Sequence, residues 1–267
     1  MSRMQNILDK AERDGATLRI RTLPDQHPLE MPVVAVADQV TSPAAAVLHG
    51  PARTVTVRRI DRTLVAAHSP DSATARQYRS LCARIVHADQ ASPTRVILVT
   101  SPGLGEGKSV TAANLALTLA REYQRPTCLV DGNLRSPKLQ QMFGLDDAGP
   151  GLVDVLAGRA TLDQALTLVE PAGITLLRAG DGVEHPAELL GTPTMRRVVD
   201  SLRSQFDRVV VDTPAALPMI DLGLLEPLAD RIVLVVRAGV TAKASIHDAM
   251  QTIEASRLLG VVLNEAA

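Results

Sequence analysis

"VILVTSPGLGEGKSVTAANLALTLA", residues 96–120, decides how the chain folds. It opens on an apolar, β-branched run from Val96 to Thr100. It then passes through Gly103, Gly105 and Gly107 and continues from Ser109 to Arg121 without a proline or glycine. That is a buried strand, a glycine-rich turn and a helix. A phosphate-binding loop is usually written G-x-x-x-x-G-K-[ST]. Counting back from Gly107, the place of the first glycine is taken by Pro102. That glycine serves only to begin the turn, and Pro102–Gly103 is a strong turn signal of its own. The competing reading is an ordinary glycine-rich turn. The strand before the loop and the helix after it favour a nucleotide site.

Such a loop has a physical logic. Glycines reach positive φ without a Cβ penalty, so successive backbone N–H groups can turn inward around an anion. The helix that follows aims its dipole and its free N–H groups at the same phosphates. Gly103, Leu104, Gly105, Glu106, Gly107, Lys108, Ser109 and Val110 are therefore expected to bind the nucleotide. Lys108 would reach the β- and γ-phosphates, and the Ser109 hydroxyl would ligate Mg²⁺.

Outward from the loop, the pattern repeats. Strands are expected at 94–101, 127–132, 173–180, 207–213, 231–238 and 259–265. Helical stretches lie between them at 108–123, 138–143, 151–168 (broken at Gly158), 186–205, 219–229 and 242–257. This alternation implies right-handed crossovers and a parallel sheet flanked by helices, the α/β architecture of a P-loop nucleotide-binding domain. A further amphipathic helix at 72–87 places Tyr78, Leu81, Cys82 and Ile85 on one face. The domain is expected to span 71–267. Residues 1–70 are expected to form a short helix at 2–14 and then a flexible, proline-scattered linker, with a short extended piece at 54–58.

Composition agrees. Apolar residues make up 46% of the 267, yet there are two tyrosines, two phenylalanines and no tryptophan, so the core must be aliphatic. Long Val/Ile/Leu runs suit strands buried on both faces. A net charge of -1 gives no reason to expect nucleic acid as a partner. Cys82 and Cys128 read as reduced, buried thiols, and neither a secretory h-region nor a membrane-spanning run is present. A cytoplasmic protein is expected. The six histidines never fall at metal-ligand spacing. Arg237, at a strand end, reads as structural.

Two acids close buried strands. "TCLVDG" ends near Asp131 and "DRVVVDT" near Asp212. Ligands of an open parallel sheet bind beyond the carboxyl ends of its strands, so both acids belong to the edge that carries the loop. Asp212 would hold Mg²⁺ directly or through water. Asp131 would orient the attacking group or the water shell of the metal. Lys108, Asp131 and Asp212 are thus the expected catalytic groups, and Ser109, Asp131 and Asp212 the expected metal ligands. Arg135, in "DGNLRSP", either reaches phosphate or pairs with an acid.

At this point the chain resembles a known family. "VDGNLRSPKLQQMFG" is similar to the Walker A′ segment of the bacterial tyrosine kinases, the BY-kinases, which are cytoplasmic ATPases of capsule and exopolysaccharide synthesis related to MinD and ParA. PGLGEGKS, GLVDVLAG, HPAELL, FDRVVVDTP, LVVRAGVT and GVVLN extend the resemblance across residues 62–265. The resemblance implies ATP and Mg²⁺ as cofactors, transfer of the γ-phosphate to protein tyrosine, and an adenine contact at Asn264. It implies as partner the cytoplasmic tail of a two-span membrane polysaccharide co-polymerase, which would recruit the chain to the inner membrane. Gly103 stands where MinD and ParA relatives carry a signature lysine, which argues against a partitioning ATPase.

Three positions depart from the family pattern. The second Walker A′ acid is Asn133, which cannot accept a proton. The tyrosine-rich tail is replaced by NEAA, leaving only Tyr78 and Tyr123. The E-x-x-R-x-x-R subunit-contact motif falls on Arg76, Arg79 and Cys82, so a homo-oligomer would be smaller than the family ring or held by other contacts. These departures raise a second reading, an ATP-switched adaptor that regulates the co-polymerase without phosphorylating tyrosine.

Overall fold

The computed structural model describes residues 19–21, 53–89, 93–145, 149–217 and 221–264. The helix expected at 2–14 lies outside them. The strands are β1 (Arg19–Arg21), β2 (Arg53–Thr56), β3 (Val96–Thr100), β4 (Thr127–Asp131), β5 (Leu166–Glu170), β6 (Ile174–Leu177), β7 (Arg208–Asp212), β8 (Arg231–Arg237) and β9 (Leu258–Asn264). They form one sheet in the order β1-β9-β8-β3-β7-β4-β6-β5-β2. The pairs from β9 through β8, β3, β7 and β4 to β6 are all parallel. The outer pairs β6–β5 and β9–β1 are antiparallel.

The helices are α1 (Val65–His68), α2 (Ala73–Ala88), α3 (Lys108–Glu122), α4 (Leu139–Met142), α5 (Leu152–Leu156), α6 (Leu162–Ala165), α7 (Pro186–Leu190), α8 (Pro193–Gln205), α9 (Asp221–Leu225) and α10 (Lys243–Thr252). Alternate residues of each central strand feed two different cores, because successive side chains of a strand point to opposite faces. Val96, Leu98, Val209, Val211 and Leu234 join Leu152, Val198, Leu202 and Ile246 on one side. Ile97, Val99, Val210, Val233 and Val235 join Leu81, Cys82, Ile85, Leu115 and Leu119 on the other. Both faces are apolar, and so the strands read as unbroken aliphatic runs.

α2 is the amphipathic helix the spacing predicts. Ser72 caps it by accepting a hydrogen bond from Ala75 N at 3.1 Å, and Tyr78, Leu81, Cys82 and Ile85 form its buried face. Both cysteines are free and buried, and burial pushes their thiols up, away from the reactive thiolate.

Elsewhere the structure corrects the expected elements. The long helix at 151–168 exists only as α5 and α6. Gly158 breaks it at φ +72, as expected. A new turn starts where Thr161 and Gln164 cap each other reciprocally. Leu166 is extended, and the chain from there pairs as β5, because Leu166, Thr167, Leu168 and Val169 face the strand residues of β6. The helix at 186–205 is two helices, divided at Gly191 and restarted by the Thr192 cap with Pro193 in the first turn.

Residues 15–70 were expected as linker with a short extended piece at 54–58. That piece is β2, which pairs in parallel with β5, and beyond it Leu64 is fully buried. Asn114, buried in the middle of α3, holds the chain around it. Its Oδ1 accepts from Ala66 N at 2.9 Å, and its Nδ2 donates to Thr63 O and Val110 O, each at 2.9 Å. Residues 63–66 are thereby clamped onto the helix that leaves the glycine-rich loop.

Candidate nucleotide site

β3 sits between β8 and β7, where the chain leaves the strand order in both directions. Such a switch point opens a crevice at the carboxyl ends of the strands. The loop 101–107 fills it. Gly105 has φ +75 and Gly107 φ +91, both left-handed, so the backbone there can fold inward as glycine alone allows cheaply. Lys108 begins α3 and is buried.

The loop is braced from three sides. The Ser101 hydroxyl donates to Gly103 O at 2.6 Å, and Ala216 N donates to Ser101 O at 2.8 Å. The Thr241 hydroxyl donates to Glu106 Oε1 at 3.0 Å while accepting from Arg237 N at the same distance. Asn264 Nδ2 donates to Glu106 O at 3.0 Å. A Cβ on Gly107 would lie 2.0 Å from that same amide nitrogen. Asn264, expected at the adenine, therefore lies against the end of the phosphate loop. Burial pushes the Glu106 carboxyl up, with the Thr241 bond and the Lys108 charge opposing.

Asp131 and Asp212 end the adjacent strands β4 and β7 and are register partners. Both are fully buried, but their surroundings differ. Asp131 Oδ1 accepts from Asn133 N at 3.2 Å, and Oδ2 accepts from Lys138 N and Leu139 N at 3.1 and 3.0 Å. Burial pushes Asp131 up to about 6, against the pull of these N–H groups and of Lys108. Asp212 has no hydrogen-bond partner for either oxygen among the described residues. Burial and then the charge of Asp131 push it up to about 8, while the nearby Ser109 hydroxyl and Lys108 act the other way.

This donor set fits Mg²⁺ carried on a nucleotide. A buried carboxylate with both oxygens unsatisfied is costly unless a cation or proton meets it. Mg²⁺ prefers one or two carboxylates, a hydroxyl, phosphate oxygens and waters over an all-protein cage. Among the described residues no group of three or more His, Cys, Asp or Glu side chains could form such a cage. Asp212 and Ser109 would hold such a metal directly, and Asp131, already held by three N–H groups, would act through water.

The other expected residues fall in different places. Arg135 pairs with an acid: its Nη2 lies 3.7 Å from Asp221 Oδ2, and its Nη1 donates to Glu184 O at 3.3 Å. Val110 packs partly against the core on the α2–α3 side, and its carbonyl serves Asn114. Leu104 is exposed at the loop tip and lines a cleft of about 380 Å³ with Leu217, Val240 and Thr241. Asn133 is buried, and its backbone N–H serves Asp131. On α2, Arg76 donates to Asp71 O, and Arg79 to Pro70 O and Glu122, whereas Cys82 is buried with its thiol toward Leu115 O. Tyr78 is buried and Tyr123 half-buried.

Sequence reasoning missed Asp221 and Thr241. Asp221 was detectable as a lone acid in the apolar run "PMIDLGLL". Thr241 carried no signal, since its contact with Glu106 joins residues 135 positions apart.

Known proteins share this framework. The tyrosine-protein kinase YwqD of Bacillus subtilis (strain 168) is 33% identical over 209 residues, which cover 77% of this chain and 87% of YwqD. The succinoglycan biosynthesis transport protein ExoP of Rhizobium meliloti (strain 1021) is 34% identical over 218 residues, 79% of this chain. The chain spans 27% of ExoP's length. Among solved structures, the chimerical protein CapA2B2 superposes with a TM-score of 0.72 at 28% identity, covering 78% of this chain and 92% of that one. No protein-family model matches the chain. With a relative one-third identical and matched over most of its length, the chain belongs to the family of bacterial tyrosine-protein kinases.

Proposed function

We propose that the chain is an ATP-dependent protein tyrosine kinase serving exopolysaccharide or capsule synthesis. The observation that carries this reading is the convergence of Lys108, Asp131 and Asp212. The ends of β4 and β7 carry two buried acids beside the glycine-rich loop that follows β3, and α3 opens that loop's far side with the buried Lys108. Bound Mg²⁺ would supply charge neutralisation between the phosphates. The chain's own groups do the rest. The N–H groups of 103–109 hold the phosphates, Lys108 balances the charge that builds up as the γ-phosphoryl leaves, and Asp212 with Ser109 fixes the metal. Asp131 would orient the incoming phenol or the water shell of the metal.

The names of YwqD and ExoP support the kinase activity and the exopolysaccharide setting. ExoP's name as a biosynthesis transport protein supports a partnership with a membrane polysaccharide co-polymerase, its cytoplasmic tail being the proposed contact. No helix among the described residues is long and apolar enough to cross a membrane.

The test is phosphotyrosine on a glutamate–tyrosine copolymer after incubation with Mg-ATP. Signal from the wild type that is absent in Lys108→Ala supports the proposal. ATP binding without phosphotyrosine, with the partner tail present, overturns it in favour of the adaptor.

A further inference from the structure

Asp221 opens α9 and is fully buried, yet neither carboxylate oxygen has a hydrogen-bond partner among the described residues. A buried carboxylate without hydrogen bonds is poorly solvated, and a neutral side chain of the same shape would pack there at less cost. The position therefore makes use of the charge. Arg135 faces it, with Nη2 at 3.7 Å from Oδ2. The guanidinium is partly open to solvent, and its other arm donates to Glu184 O at 3.3 Å.

Arg135 occupies the middle of the loop from Asp131 to Leu139. The N–H groups near its two ends, Asn133 on one side and Lys138 with Leu139 on the other, hold the Asp131 carboxylate. Ser136 N closes a turn on Asn133 O at 3.1 Å. The loop is a cage of backbone donors around one strand-end acid. α9 packs close to where the loop begins: a Cβ on Gly132 would meet Asp212 O at 2.9 Å and Leu225 at 3.6 Å. Arg135 thus ties the cage to the segment that follows the other strand-end acid.

We infer that Asp221 is a positioning residue: through Arg135 it holds the loop whose N–H groups aim Asp131 at the nucleotide-borne metal. The metal half of this inference rests on the proposed Mg-ATP site; the loop half does not. Asp221 is not among the residues proposed to hold substrate or metal, so its removal should loosen the cage and leave the fold standing. Asp221→Asn keeps the shape and removes a buried charge, and it leaves Arg135 able to turn into solvent. The thermal midpoint should not fall.

Amide hydrogen exchange in the nucleotide-free protein tests the loop. In Asp221→Asn, exchange at Asn133, Lys138 and Leu139 should rise about tenfold, with the amides of β3 and β7 unchanged. Calorimetric titration tests the consequence. The Mg²⁺ concentration needed for tight ATP binding should rise about tenfold, the size typical of lost outer-shell support. Adding Asp221→Asn to Arg135→Ala should change neither quantity further. Unchanged exchange, or effects that add in the double variant, would overturn the inference. Should Asp221→Asn unfold, Arg135→Gln and Arg135→Lys pose the same question from the solvent side, with lysine expected to restore part of the protection. A wild type that binds no Mg-ATP would defeat the proposed function, while the exchange result would still decide whether Asp221 holds the loop.

Discussion

Asp131 and Asp212 stand directly opposite each other on the parallel strands β4 and β7, both buried, one caged by three N–H groups and the other without a hydrogen-bond partner among the described residues. Two such carboxylates cannot both ionise cheaply, so the pair titrates as a unit and retains a proton when no cation is present.

A pH dependence follows from that proton. Burial and the Asp131 charge raise Asp212 to about 8 in the folded chain, against about 4 for an ordinary aspartate. The folded state then binds more protons than the unfolded one across this window, so stability must fall as pH rises. In metal-free buffer the unfolding free energy should decline between pH 5 and pH 8, by up to about 1.4 kcal/mol per pH unit from this group. Asp212→Asn should flatten that decline. Chemical denaturation at several pH values would measure it, and a decline as steep in the variant would contradict the assignment. Mg²⁺ affinity should rise through the same window as the proton leaves.

Gly107 tests the loop. Its φ of +91 and the 2.0 Å approach of Asn264 Nδ2 leave no room for a side chain. Gly107→Ala should lower stability by about 1–3 kcal/mol and weaken ATP binding strongly. Adding Asn264→Ala removes the steric conflict but not the backbone strain, so it should restore part of the stability. Thermal denaturation and ATP titration of the three variants would show this. Wild-type behaviour in Gly107→Ala would mean that the loop does not take the conformation described.

Asn114 tests where the fold starts. Asn114→Ala removes three hydrogen bonds, one of them fully buried, and should cost about 1–3 kcal/mol. A chain beginning at residue 71 loses β2 and Leu64 along with the segment Asn114 clamps. It should unfold at a markedly lower temperature than the full chain, and a matching midpoint would restore the boundary at residue 70.

What could be read from the sequence depended on the range of each interaction. The central strands were legible because burial on both faces leaves an unbroken aliphatic signature, as in Val96–Thr100 and Arg231–Arg237. The loop was legible because its glycines, Lys108 and Ser109 are contiguous. Of β2 only a short extended piece was legible: Arg53, Thr54, Val55 and Thr56 alternate at an edge, and their pairing with β5 depends on a strand more than a hundred residues away. β5 was hidden because Leu166, Leu168 and Val169 continue an apolar spacing that also suits a helix. The acids were found as strand ends, yet the difference between them came only from their surroundings, since backbone donors two to eight residues downstream cage Asp131 and none among the described residues reach Asp212. Arg135 was left between two readings because its partner, Asp221, lies on another segment.

The central claim is that the ends of β3, β4 and β7 form one Mg-nucleotide centre. Calorimetric titration of ATP into the wild type, Lys108→Ala and Asp212→Asn, each with and without Mg²⁺, tests it most directly. The account predicts Mg²⁺-enhanced binding in the wild type, little binding in Lys108→Ala, and binding in Asp212→Asn that Mg²⁺ no longer strengthens. Equal Mg²⁺ enhancement in the wild type and Asp212→Asn would contradict it.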